Sequence, residues 1–249
     1  MQMSERPILF SGAMVRAILA GRKSQTRRVV KHDVSADCVS WKVLDDGRWT
    51  QMFQYGKILA SKAWAHSCPY GIPGDRLWVR ETRWQIPEPS LRQLRDGADT
   101  WPKVAYNADE TEISQGQNRE MGWKLRPSIF MPRWASRITL EITDVRVQRV
   151  QEITEEDARA EGIQIPVEKI QDPPAIGLLR ITGKHAPIRY FPPGFLGQEH
   201  TIEERTTVWL RAHYASLWDD LNESRGFGWD SNPWVWCLTF KRIAAEVSR

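Results

Sequence analysis

Gly21-Arg22-Lys23-Ser24-Gln25-Thr26-Arg27-Arg28-Val29-Val30 follows directly on an amphipathic stretch, and the change of pattern between the two decides how the fold is read. Upstream, Ser11 is placed to cap a helix in which Met14, Val15, Ile18 and Leu19 keep the 3.6-residue period, and Gly21 is placed to end it. The spacing predicts a helix over 12–20. Downstream, Ser24 to Val30 is β-branched and basic, which predicts a strand. Alternation along that strand puts Thr26 and Arg28 on one face, so Lys23 reaches that face only from the preceding turn. A regular strand through 23–28 would point Lys23 and Thr26 in opposite directions. By itself, a basic run after a helix is most simply a solvated face that complements the negative end of the helix dipole.

The remaining segments build outward from this strand. Asp45-Asp46-Gly47 lies between two apolar-rich pieces of Val39 to Trp49 and signals a hairpin. In Arg76 to Thr82, Leu77 and Val79 alternate with Trp78, Arg80 and Thr82, as in a strand with two different faces. A further strand starts at Arg137; its apolar set changes parity from Ile138, Leu140 and Ile142 to Val145 and Val147, so a bulge or turn is expected near Thr143-Asp144. Thr154-Glu155-Glu156-Asp157 reads as a capping box with Ile153 and Ala158 as its staple and Gly162 as its stop, which leaves Glu161 at the helix end. Between Gln164 and His200, six prolines and four glycines without periodicity indicate an irregular insertion. Thr201 and Glu204 open the longest helix, with Leu210, Tyr214, Leu217 and Leu221 as its expected buried stripe. The last strand alternates Trp234, Trp236, Leu238 and Phe240 with Val235, Cys237, Thr239 and Lys241, and reads as buried on both faces until its basic end. About six short strands and two or three helices without βαβ order favour an α+β fold built on a small closed or half-closed β-barrel. The whole of 1–249 reads as a single elaborated domain, with 164–200 as its insertion.

Composition narrows the classes. Thirteen tryptophans in 249 residues supply too much burial for a disordered chain. Of these, Trp209, Trp218, Trp234 and Trp236 fall in periodic elements and are expected in the core, while Trp123 and Trp134 flank arginines and are expected on a stacking surface. The formal charge of +4, from 35 basic and 31 acidic residues, is mildly basic. Three cysteines without a CxxC pair and the lack of a leader-like N-terminus point to the cytoplasm, and no apolar run approaches the roughly 20 residues of a membrane span. The five histidines lack metal-ligand spacing, so neither a metal nor another cofactor is expected.

Gly21, Lys23, Thr26 and Arg28 fit the GxKxxExR signature of ASCH domains, in the PUA-like superfamily, with threonine in the glutamate slot. In this version, GxKxxTxR, the chain resembles the bacterial ASCH amidohydrolases that act on N4-acetylcytidine. Pro7 to Gly12, Gly74 to Glu81, Met131 to Arg137 and the Trp-rich last strand also resemble the larger ASCH proteins of tailed phages and prophages, often termed morphogenetic proteins. The resemblance implies a PUA-like barrel, a catalytic set of Lys23, Thr26 and a glutamate best matched by Glu161, and a modified nucleoside or nucleic acid as partner. It also implies expression from a phage or prophage inside a bacterial host.

The implied chemistry is amide hydrolysis. Lys23, its pKa lowered by burial or by Arg22, Arg27 and Arg28, would activate Thr26 to attack the acyl carbonyl. Arg28 or a backbone N–H would hold the oxyanion, and Glu161 would pass a proton to the departing amine. Glu81 lies on the apolar face of its strand, either paired with an arginine for structure, or orienting Lys23 or contacting substrate. Arg126, Arg133 and Arg137 interleave with Trp123 and Trp134, a combination suited to phosphates and bases, so Arg28, Glu81, Arg133 and Trp134 are the candidate substrate contacts. Two other classes compete with the hydrolase: a non-catalytic reader of RNA or modified bases, and a phage assembly factor.

Overall fold

The computed structural model describes residues 4–31, 34–55, 58–85, 104–109, 111–164, 179–181, 184–186 and 202–243. In chain order the strands are β1 (Glu5–Leu9), β2 (Gln25–Val29), β3 (Cys38–Val43), β4 (Trp49–Tyr55), β5 (Ile58–His66), β6 (Arg76–Arg80), β7 (Arg83–Gln85), β8 (Val104–Tyr106), β9 (Lys124–Arg126), β10 (Thr139–Arg149), β11 (Leu179–Ile181), β12 (Lys184–Ala186) and β13 (Trp234–Ile243). The helices are α1 (Gly12–Leu19), α2 (Glu112–Glu120), α3 (Glu155–Ala160) and α4 (Ile202–Asn222). The chain divides into two compact units, one drawn from Met1–Gly21, Gly74–Glu141 and Lys241–Arg249, the other from Arg22–Pro73 and Ile142–Phe240.

In the first unit β1 runs parallel to β6, and the start of β10 runs antiparallel to β6, with Thr139 opposite Trp78. Leu77, Val79 and Leu140 are buried together with Ile8, and Trp78, expected on the other face, is buried as well, so β6 is enclosed on both sides at its centre. Ser11 caps α1 by accepting from the Met14 amide, Val15, Ala17 and Ile18 form the buried face, and Gly21 takes φ +71° where the helix ends. A short antiparallel sheet of order β8-β7-β9 also belongs to this unit.

In the second unit β2 pairs antiparallel with β13, placing Thr26 opposite Leu238, Arg27 opposite Cys237 and Arg28 opposite Trp236. The expected hairpin is present as β3 and β4, closed by the Leu44 amide donating to the Arg48 carbonyl at 2.7 Å with Gly47 at φ +78°, and β5 extends it to a three-stranded sheet. Trp41 stands against Trp234 and Trp236, with ring centroids 6.4 and 6.3 Å away, and Trp49 against Trp236 at 6.1 Å. On β10, Thr143 and Asp144 are both exposed, which is where the buried series changes parity from Ile142 to Val145.

The capping box forms at α3: the Thr154 hydroxyl accepts from the Asp157 amide at 3.1 Å, Ile153 and Ala158 are buried, and Gly162 follows at φ +88°. Val150, Ile153, Ala158, Leu210, Tyr214, Ala215, Trp218, Trp229 and Val235 make one apolar cluster. The stripe on α4 differs from the expectation. Leu210, Tyr214 and Trp218, four residues apart, face the cluster, whereas Leu221 is 42% exposed. The indole won the seat because it offers more apolar surface than either leucine and its N–H reaches the Phe227 carbonyl at 2.8 Å. Trp84, Trp218, Trp229, Trp234 and Trp236 are buried, and Trp134 is exposed. Thr201, the Trp209 side chain and all of 164–200 except Gln164, β11 and β12 lie outside the described residues.

Among the described residues this is an α+β protein with few helices and several mixed or antiparallel sheets, none of which closes into a barrel. No described helix is long and apolar enough to cross a membrane.

Candidate active site

Lys23 stops short of β2. It forms an isolated bridge with Glu161, the Ser24 amide donates to the Ala160 carbonyl at 2.8 Å, and only from Gln25 does the chain enter the ladder with β13. The capping box fixes where α3 starts and Gly162 where it ends, so Glu161 arrives at the helix terminus beside Lys23 although 138 residues separate them. Lys23 Nζ donates to Glu161 Oε2 at 2.6 Å and to the Glu161 carbonyl at 2.9 Å. The ammonium thus also satisfies one carbonyl at the negative end of the helix.

Arg27 shares that carboxylate. Its Nη1 donates to Glu161 Oε1 at 3.3 Å and to Gln25 Oε1 at 2.6 Å, and its Nη2 to Asp157 Oδ2 at 2.7 Å. Arg146 reaches the other Asp157 oxygen at 3.3 Å and the Cys237 sulfur at 3.4 Å, and the Tyr214 ring lies 5.8 Å from the Arg27 guanidinium. Two carboxylates are therefore held by one lysine and two arginines. Side-chain exposure is 0% for Lys23 and 5% for Glu161, so the pair sits where charge is poorly solvated.

Burial draws the Lys23 ammonium below its ordinary pKa; the Glu161 carboxylate opposes this, and Arg28 and Arg27 reinforce it. Burial alone would push the Asp157 carboxyl up, but Arg27, Gln25 and Arg146 outweigh it and hold the group below the usual range. Burial pushes the Cys237 thiol up to about 11, against the pull of Arg27 and Arg146. Lys23 in such a setting gives up its proton more readily than a solvated lysine, and Glu161 Oε2 at 2.6 Å accepts its hydrogen bond.

Thr26 and Arg28 are placed differently. Strand alternation turns them to the face of β2 opposite Gln25 and Arg27, with Leu238 and Trp236 as their cross-strand partners. Thr26 is 2% exposed. Lys23 and Glu161 are brought into contact, while Thr26 lies on the tryptophan side of the strand. The remaining candidates belong to the other compact unit. Glu81, a candidate substrate contact, is 1% exposed and accepts from Arg137 at 2.9 and 3.1 Å, and Arg137 also binds Asp109, so this carboxylate is paired with an arginine. Burial raises the Glu81 pKa and Arg137 opposes the rise. Arg133 is held by both Glu5 oxygens, at 2.9 and 2.7 Å, and Trp134 projects outward.

Arg27, Gln25 and Asp157 complete the cluster and were not selected as site residues from sequence. Arg27 was legible there only as a cation near Lys23 and Asp157 only as a helix cap. The available signal was parity, since Lys23, Gln25 and Arg27 are all odd-numbered neighbours along one strand direction.

Comparison with protein-family models, with curated proteins and with solved structures finds no match to this chain.

Proposed function

We propose that this protein is a hydrolase of the ASCH type, built on a half-closed PUA-like barrel, that releases the acyl group from an N-acylated pyrimidine nucleoside or nucleotide such as N4-acetylcytidine inside a bacterial host cell. The observation that carries the reading is the buried contact of Lys23 with Glu161 at 2.6 Å, across 138 residues of sequence. The signature resemblance requires that pair of side chains to meet, and nothing local in either segment does. Lys23, deprived of solvent, serves as the base, and Glu161 returns the proton to the exocyclic amine as the C–N bond breaks. In the full scheme the Thr26 hydroxyl forms the acyl bond and water then releases it. The alternation of β2 gives direct support to the Lys23–Glu161 half of that scheme only, so Thr26 is the part that experiment must separate from attack by water.

Incubation of the protein with N4-acetylcytidine, with cytidine as the measured product, tests the proposal. Wild type is expected to release cytidine, and Lys23→Met and Glu161→Gln to lose at least about 100-fold in kcat/KM. Each removes one partner of a buried pair, at a stability cost of about 3 to 5 kcal/mol, so folding of both variants is checked by circular dichroism. Thr26→Ala, uncharged and small, is expected to abolish turnover if threonine is the nucleophile and to leave it largely intact if water is. Equal product from wild type and all three variants, or none from wild type, overturns the hydrolase reading. A second reading, a non-catalytic reader of RNA or modified bases, draws on Arg28 standing opposite Trp236 beside Trp41, a cation among aromatic planes. Its mark is RNA affinity without turnover, falling with salt and in Arg28→Ala.

A further inference from the structure

In the unit that holds β6 to β9, Arg83 has no carboxylate partner among the described residues. Arg83 on β7 is 7% exposed, and neither its Nε nor its Nη1 has a hydrogen-bond partner among the described residues. Its direct cross-strand neighbour on β9 is a second arginine, Arg126. Side chains so paired start with Cβ atoms about 5 Å apart, and like charges in that relation destabilise a sheet. On the other side its partner is Tyr106, whose hydroxyl donates to the Ala135 carbonyl at 3.1 Å. The nearby carboxylates are committed elsewhere, since Arg137 takes both Glu81 and Asp109. Burial, reinforced by Arg126, lowers the Arg83 pKa.

A buried guanidinium with free donors beside a second guanidinium is an unfavourable arrangement unless an anion joins it. The neighbouring residues supply the rest of a site. The Trp134 ring lies 5.9 Å from the Arg83 guanidinium and is itself 64% exposed, which leaves a flat indole face open to solvent beside the cation. Arg126 has its Nε fixed by Gln85 Oε1 at 2.9 Å, which orients its outer nitrogens. Two guanidiniums match the charge and geometry of a phosphate, and the indole matches a nucleobase attached to it.

We propose that Arg83, Arg126 and Trp134 form a binding site for a phosphate carrying a nucleobase, with Arg83 as its buried anchor. This proposal draws on neither Lys23 nor Glu161 and does not depend on the hydrolase reading. Its chemistry is shared by a free nucleotide and by a single-stranded nucleic acid.

Calorimetric titration of the full chain with adenosine 5′-monophosphate, adenosine, inorganic phosphate and a short single-stranded oligoadenylate tests the proposal, with adenine probes chosen because they are neither substrate nor product of the proposed hydrolysis. Adenosine monophosphate is expected to bind at least about tenfold more tightly than adenosine or phosphate alone. Trp134→Ala, at an exposed position that does not endanger folding, is expected to weaken the nucleotide about tenfold and leave phosphate unchanged. Arg83→Gln is expected to remove measurable binding of both. Oligoadenylate that binds and is displaced by the mononucleotide assigns the site to a strand, and nucleotide binding without oligoadenylate binding assigns it to a free nucleotide; either supports the site. Failure of both probes to bind wild type, or nucleotide affinity unchanged in Trp134→Ala, overturns it.

Discussion

Asp157 serves two structures at once. Its backbone amide and carboxylate complete the box that starts α3, and the same carboxylate binds Arg27 and Arg146. Because folding holds its pKa below the ordinary value near 4, the ionised form is the one the fold favours. Its stabilisation is therefore present above about pH 4 and is lost as pH falls through the lower folded value. Asp157→Asn is expected to flatten the acid limb: the urea midpoint of wild type should fall more steeply than that of the variant between about pH 5 and about pH 2.5, and parallel curves would remove the carboxylate from this role. The helix-capping half of this residue was visible in Thr154-Glu155-Glu156-Asp157, because a cap is a contact over three residues. Its link to Arg27 spans 130 residues, and no local pattern announces it.

Helix α4 separates what periodicity can and cannot reveal. Leu210, Tyr214, Leu217 and Leu221 satisfy a 3.6-residue period, but so do Leu210, Tyr214 and Trp218, and the choice between the two rows depends on what packs above them. Trp229, Val150 and Val235 close over the second row. Trp218→Ala is accordingly expected to cost about 3 to 5 kcal/mol in denaturant unfolding, and Leu221→Ala less than about 1 kcal/mol. The reverse ranking would restore the leucine stripe. Strands fared better, since β13 is buried through both series from Trp234 to Leu238 and turns exposed at Lys241, as its composition indicated. A strand packed on both faces carries its burial in its own residues.

Across the full chain, the free cysteines report how completely apolar groups are enclosed. Cys38, Cys68 and Cys237 are all buried thiols, and burial keeps Cys237 protonated well above neutral pH. At about pH 8 the native chain is expected to show no rapid reaction with a thiol reagent, and the denatured chain to react at all three; prompt labelling of Cys237 in the native chain would contradict its enclosure. The α+β class, the helix at 12–19, the hairpin at 44–48 and the position of Glu161 at a helix end follow from caps, turns and alternation, which are short-range and can be read residue by residue. The choice of which carboxylate Lys23 meets, the turning of Thr26 to the tryptophan side and the stranding of Arg83 beside Arg126 do not follow from them. Those are outcomes of packing between segments remote in the chain, where the position of a charge depends on every element that encloses it.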